Sequence, residues 1–315
     1  WFLRNLQLKD PSEAVAVLKA TKVDACGIEA MLPKMRHLNI HLTGVSCPAA
    51  NIIKQEMLAV GGDAAVARGT VSCRLPDTDV ILMGTRKQLG RFAGKMTRQP
   101  FGLPALAKAL TSLLSKIESD TLVLKTSHRE MLLGERTLVM GVVNVTPDSF
   151  SDGGRYYSAE SAVEHALQLV GEGADILDVG GESSRPGAAP VAADEELRRV
   201  APVIAALAAK TDIPLSVDTT KAEVARTALA AGAEMVNDIS AMRFDEGMPA
   251  VIRESGAAVV LMHMRGTPRD MQEGDLTYPS LWGEIIRFLQ ERIEAAVAAG
   301  IPEECIAVDP GLGFG

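Results

Sequence analysis

From Thr137 onward the chain repeats a pattern that few folds can accommodate. Five times a short apolar run rich in β-branched residues ends in a polar residue and leads into an amphipathic helical stretch, and a sixth run closes the sequence. The runs are TLVMGVVN ending at Asn144, ILDVGG from Ile176, LSVD ending at Asp218, MVND ending at Asp238, AVVLMH ending at His263 and IAVD ending at Asp309. Between them the spacing predicts helices over Ala159–Glu172, Asp194–Ala209, Lys221–Ala231, Met248–Glu254 and Leu281–Ala299. A helix between two strands returns the chain to the same end of the sheet, so the strands must be parallel. Runs that are apolar throughout require cover on both faces. An open doubly wound sheet gathers its site at one switch point, whereas a (β/α)8 barrel draws residues from the carboxyl end of every strand. Here a polar residue closes every run, so an α/β fold, the (β/α)8 TIM barrel, is expected with about six strands in this chain. The chain opens on Trp1 and stops at Gly315 inside DPGLGFG, so a truncated C-terminus is also expected, with roughly a quarter of the barrel beyond it.

Residues 1–127 read differently. Short runs such as Val80–Met83, a helix over Pro104–Ile117, and a helix after Ser46 that a Gly-Gly pair stops after Val60 predict a small α/β domain. Lys54, Glu56, Asp63 and Arg68 could gather there as a site, although a solvated helix face accounts for them as simply. The polar stretch Ser119–Glu135 reads as a connection. Two domains are therefore expected, an N-terminal α/β extension of unknown role over 1–127 and an incomplete barrel over 128–315.

A formal net charge of -8 and a pI near 5.3 argue against a nucleic-acid surface, which needs clustered Lys and Arg. No apolar run approaches the roughly 18 to 20 residues that span a bilayer, and the first residues lack a basic and apolar leader pattern, so no membrane association and a cytoplasmic location are expected. Cys26, Cys47, Cys73 and Cys305 lie far apart without a CxxC, suggesting neither a disulfide framework nor zinc, and buried thiols are expected.

The chemistry concentrates in the loops after the runs. Asn144–Gly154 (NVTPDSFSDGG) is long, with Asp148, Asp152, three hydroxyls and a Gly-Gly pair, the composition of a mobile active-site loop. Asp178–Pro190 (DVGGESSRPGAAP) offers two glycines for close backbone approach, the Ser183 and Ser184 hydroxyls, and the Arg185 fork, which suits phosphate or a salt bridge on the rim. Asp218, Asn237 and Asp309 end the third, fourth and sixth runs. Each alone could cap a helix, but together they suit a flat heterocycle with several N–H donors. His263 reads as a structural residue, Met262 as a ring-packing one, Asp175 as a helix-end residue, and Asp178 stays open between structure and site.

In that order and at suitable spacing, NVTPDSFSDGG, ESSRPG (Glu182–Gly187), SVDT (Ser216–Thr219), NDIS (Asn237–Ser240), LMHM (Leu261–Met264) and DPGLGFG (Asp309–Gly315) resemble the dihydropteroate synthases, over about Leu138–Gly315. The resemblance implies a sulfonamide-targeted transferase of folate biosynthesis. It would condense 6-hydroxymethyl-7,8-dihydropterin pyrophosphate with p-aminobenzoate, releasing pyrophosphate and requiring Mg2+, with a homodimer left open. It further implies that Asp218, Asn237 and Asp309 hold the pterin edge and that Ile239, Met262 and Phe314 pack on its ring. Asn144 would bind the metal and pyrophosphate, Asp152 would stabilise developing cationic charge, Arg185 and Ser184 would contact the anion and second substrate, and Phe150 and Pro186 would wall the p-aminobenzoate site. Ser184 stands where the family usually has Thr, and the family's later Lys-Ser and Arg-x-His motifs have no counterpart before Gly315, which puts activity of this stretch alone in question. The first 125 or so residues resemble an extension of some longer bacterial members. A rival reading is the methyltetrahydrofolate-binding domain of corrinoid methyltransferases, whose motif GERT (Gly134–Thr137) resembles; a non-catalytic pterin-binding module is another.

Overall fold

The computed structural model describes residues 11–118, 122–145, 159–183, 190–272, 274, 276–278 and 280–314. The chain divides into two compact units, Trp1–Asp120 and Thr121–Gly315.

The first unit runs α1 (Pro11–Ala20), α2 (Ala25–Met35), β1 (His37–Ser46), α3 (Cys47–Ala59), β2 (Asp63–Val66), β3 (Asp77–Thr85), α4 (Arg86–Met96) and α5 (Leu103–Glu118). Its sheet is antiparallel in the order β1-β3-β2. Alternation along β3 buries Val80 and Leu82 against Ile53 and Met57 of α3 and Leu89, Phe92 and Met96 of α4. The Gly-Gly stop is steric as well as conformational. Gly61 takes φ +83°, and a Cβ on Gly62 would meet the Met83 carbonyl at 2.9 Å. Only Lys54 and Glu56 of that polar set lie on a helix face, on α3, where Glu56 pairs with Lys95 at 2.5 Å; Asp63 opens β2, where it accepts from the Ala64 amide, and Arg68 follows that strand, so a single helix face does not account for the four. The cysteine expectation fails in part, since Cys47 and Cys305 are buried but Cys26 and Cys73 are exposed.

The second unit opens with a hairpin, β4 (Leu122–Lys125) and β5 (Glu130–Leu133), within the stretch read as a simple connection. Each strand has only four residues, too few to show a period. Their role is set by distant contacts. Leu124 and Met131 pack with Ile176, Met235 and Ala258, each the first residue of a later strand, so the hairpin covers the amino ends of the parallel sheet. Burying the two side chains contributes about 1.5–3 kcal/mol each. The hairpin is also tied by charge. Glu234, nearly buried, accepts from Thr126 Oγ1 at 2.7 Å and from Arg129 Nε at 2.9 Å and Nη2 at 2.5 Å.

Six β/α strands follow: β6 (Met140–Asn144), α6 (Ala159–Gly171), β7 (Ile176–Gly180), α7 (Ala193–Ala208), β8 (Leu215–Asp218), α8 (Ala222–Ala230), β9 (Met235–Asp238), α9 (Met248–Ser255), β10 (Ala258–Met262), α10 (Leu281–Ala298) and β11 (Ile306–Asp309). All pair in parallel and in strict sequence order from β6 to β11. A doubly wound sheet would reverse order at a switch point, so the order is that of a (β/α)8 barrel. Strand β7 is buried along its whole length, and Val179, Val217, Val236 and Val259 share one core with α7 and α8. The outer strands β6 and β11 leave Val142 and Val308 about half exposed. Among the described residues no helix is long and apolar enough to cross a membrane.

Candidate active site at the carboxyl ends of the strands

Strand register lines up the polar residues. Asn144 pairs with Gly180, Gly180 with Asp218, Asp218 with Asn237 and Asn237 with Val260, so one rung crosses five strands. Met262 and Asp309 form a second pair above it at the ends of β10 and β11. A Cβ on Gly180 would come into ordinary contact with the Asp218 side chain, 3.4 Å from its Oδ2, so Gly180 lies directly beside that carboxylate.

Two residues lower on the same strands, Asp178 and Ser216 are partners and both are buried. Asp178 Oδ2 accepts from Asn237 Nδ2 at 2.8 Å, which orients the amide. Burial raises the pKa of Asp178, while Ser216 and Asn237 pull the other way. Asp178 Oδ1 and Ser216 Oγ are buried without a partner among the described residues. Such atoms are costly unless something completes them. Burial first, then the charges of Asp178, Glu196, Asp238 and Glu182, hold the Asp218 carboxyl well above the usual range.

An apolar patch lies beside these groups. Ile239, Met262, Met264 and Met271 cluster, and Phe314 packs on them, so the three residues expected to pack on a ring do meet. Asp309 Oδ1 accepts from the Gly311 amide at 2.7 Å, which fixes the turn that brings Phe314 back. Asp238, which sequence reasoning gave no role, is a loop anchor. It accepts from Ser240 Oγ at 2.6 Å and from the Met242 amide at 3.0 Å, holding Ala241 and Met242 at positive φ. His263 is buried against the Phe288 ring, and burial and Arg243 lower its pKa, as suits a structural residue.

A cavity of about 350 Å³ opens beside Asp218, lined by Glu182, Glu196, Lys221, Ile239, Phe244 and Arg269 among others. Asn237, Met262, Asp309 and Phe314 lie outside its wall. The cavity contains a cluster that was not legible in sequence. Lys221 Nζ binds Glu182 and also Glu196 at 2.5 Å, where Glu196 is fully buried and its Oε1 has no partner among the described residues. Burial opposes the Lys221 charge, but the two carboxylates outweigh it and raise its pKa. Lys221 is the cap of α8 and not its first helical residue, and Glu196 looks like one of several surface acids in ADEEL. Phe150, Asp152, Ser184, Arg185 and Pro186 lie outside the described residues. Asn144 is exposed at the end of β6, and among the described residues no three His, Cys, Asp or Glu side chains gather as a metal site.

A family model for pterin binding enzymes matches residues 140–315, more than half of the chain. A probable bifunctional folylpolyglutamate synthase/dihydropteroate synthase of Haloferax volcanii is 40% identical over 282 residues, covering 87% of this chain and 33% of that protein. The second unit alone supplies only 195 residues, so that likeness reaches into the first. The dihydropteroate synthase of Synechocystis is 50% identical over 182 residues, covering 58% of this chain and 62% of the relative. The chain therefore spans less than two thirds of these relatives. The structure of Xanthomonas albilineans dihydropteroate synthase with 4-aminobenzoic acid matches with a TM-score of 0.57 and 51% identity, covering 62% of this chain and 68% of that one. With its motifs, sequential parallel strands and matched residues in agreement, the chain belongs to the pterin binding enzyme family.

Proposed function

We propose that the second unit is the pterin-binding part of a dihydropteroate synthase, joining 6-hydroxymethyl-7,8-dihydropterin pyrophosphate to p-aminobenzoate. The observation that carries this reading is the pairing of two polar levels, Asp178 with Ser216 and Asp218 with Asn237, in which Asp178 Oδ1 and Ser216 Oγ have no partner among the described residues, with the apolar patch of Ile239, Met262 and Phe314. A pterin has a donor and acceptor edge for the first and a flat ring for the second. Asp218 and Asn237 take the edge, with Asp309 beside Met262 completing it.

The reaction then needs stabilisation of separating charge and exclusion of water. Carboxylates near the pterin methylene, with Asp152 assigned by resemblance, stabilise positive charge as its bond to pyrophosphate breaks. Arg185 and Ser184 hold the leaving anion, and Phe150 and Pro186 flank the incoming amine. Asn144 offers one oxygen ligand, which fits Mg2+ held mainly by the pyrophosphate itself. That ion, when bound, offsets the charge of the leaving group. The amine attacks directly, so no covalent enzyme intermediate forms.

The methyltransferase reading loses its main support. Arg136 of GERT binds Asp175 at 2.8 and 2.5 Å, and Asp175 accepts from the Val139 amide, so the motif ties down the amino ends of β6 and β7, away from the site. Pyrophosphate release from the pterin substrate distinguishes the readings. It should depend on p-aminobenzoate and yield dihydropteroate one for one. Methyl transfer from methyltetrahydrofolate to a cobalamin, without pyrophosphate release, would overturn the proposal.

A further inference from the structure

The first unit brings together two cysteines that stand 26 positions apart in the sequence. Cys47 begins α3, and its Sγ donates to the Thr70 carbonyl at 2.8 Å. The same carbonyl accepts from Asn51 Nδ2 at 2.9 Å and from the Cys73 amide at 3.0 Å. Asn51 Nδ2 also reaches Cys73 Sγ at 3.6 Å. Thr70 and Asn51, one turn into α3, therefore fasten both thiols to one point. Cys73 itself is held at φ +47°, a conformation that a residue with a side chain keeps only where its surroundings impose it. The two thiols are unlike in access, with Cys47 only 2% exposed and Cys73 on the surface.

We infer that Cys47 and Cys73 form a redox-modification site, an exposed attacking thiol with a buried resolving one, which low-molecular-weight disulfides convert to an intramolecular disulfide. The order of events follows from access. The Cys73 thiolate attacks one sulfur of the small disulfide, forming a mixed disulfide and releasing one small thiol. Cys47 then gives its proton to solvent and attacks the Cys73 sulfur, forming the Cys47–Cys73 bond and releasing the second small thiol. Two protein thiols are oxidised and one small disulfide is reduced to two thiols. Burial, and then the hydrogen bond with Cys73, push the Cys47 thiol up to about 11, so Cys47 is the slow partner and not the first to react. The bond would close a loop containing α3 and β2 and lock the turn at Thr70–Cys73 to the first turn of α3.

The full chain, incubated with oxidised glutathione, alkylated and mapped by mass spectrometry, tests this. A Cys47–Cys73 linked peptide pair is expected within one chain, reversed by dithiothreitol, with Cys305 alkylated as a free thiol. Cys47→Ser should stop at one glutathione on Cys73. Cys73→Ser, a change at the exposed position that keeps the fold if the buried one does not, should leave Cys47 unmodified. Glutathione on Cys73 of the unaltered protein with Cys47 still free, a Cys73 that does not react, or a Cys73 bond to Cys26 or to a second chain would each overturn the inference.

Discussion

Replacing Lys221 with Met removes the one cation that pairs with Glu196 among the described residues, and the cost can be worked out. Lys221 bridges Glu182, about a third exposed, and Glu196, which has no exposure. The solvated half of the bridge is worth about 0–1 kcal/mol. The buried half is different, because an anion left uncompensated in the interior costs about 3–5 kcal/mol. The variant should therefore lose about 3–5 kcal/mol, and adding Glu196→Gln, which removes the buried charge as well, should restore much of the loss. Urea unfolding followed by Trp282 fluorescence, with Trp1 changed to Phe so that only the second unit reports, measures this. A loss under about 1 kcal/mol, or no recovery in the double variant, would refute the picture of a bare buried carboxylate.

Gly181→Ala would place a Cβ 2.9 Å from both Glu196 Cγ and Val200 Cγ1, so the same urea assay should show a loss of about 1–3 kcal/mol from overpacking. Arg129→Met breaks the charged bonds that hold the hairpin to Glu234, at about 2 kcal/mol, and hydrogen exchange over Leu122–Leu133 should quicken more than over β8. The Arg136 hydrogen bond pulls Asp175 down to about 2, so this pair stabilises the fold above the unfolded value near 3.8 and the benefit disappears as pH falls through about 2. The unfolding midpoints of the wild type and Arg136→Gln should thus differ at pH 6 and converge near pH 2.

The strands were legible because each ends in a polar residue and is apolar before it, a local pattern that parallel burial imposes. The observed β8, β9 and β11, Leu215–Asp218, Met235–Asp238 and Ile306–Asp309, coincide with runs visible in the sequence. The rung of Asn144, Asp218 and Asn237 was legible for the same reason. What escaped was non-local. The hairpin of β4 and β5 has polar residues at its turn and is a plug only because Ile176, Met235 and Ala258 lie against it. Glu196 sits on α7 and Lys221 caps α8, both in ordinary surface contexts, and nothing in their neighbours along the chain shows that they meet over Glu182. The expectation of buried thiols failed at Cys26 and Cys73 for a related reason, since spacing along the chain carries no information on exposure.

Calorimetric titration of 6-hydroxymethylpterin into this chain tests the central claim most directly. Asp218 is predicted to accept the donor edge of the ring, so leaving those donors without a carboxylate costs about 1–3 kcal/mol and Asp218→Asn should bind about 5- to 150-fold more weakly. The free carboxyl is held well above its usual range, so wild-type affinity should also rise with pH as that proton is lost, and the variant should lack this rise. No binding by the wild type, or equal affinity and equal pH dependence in the two proteins, would contradict the account.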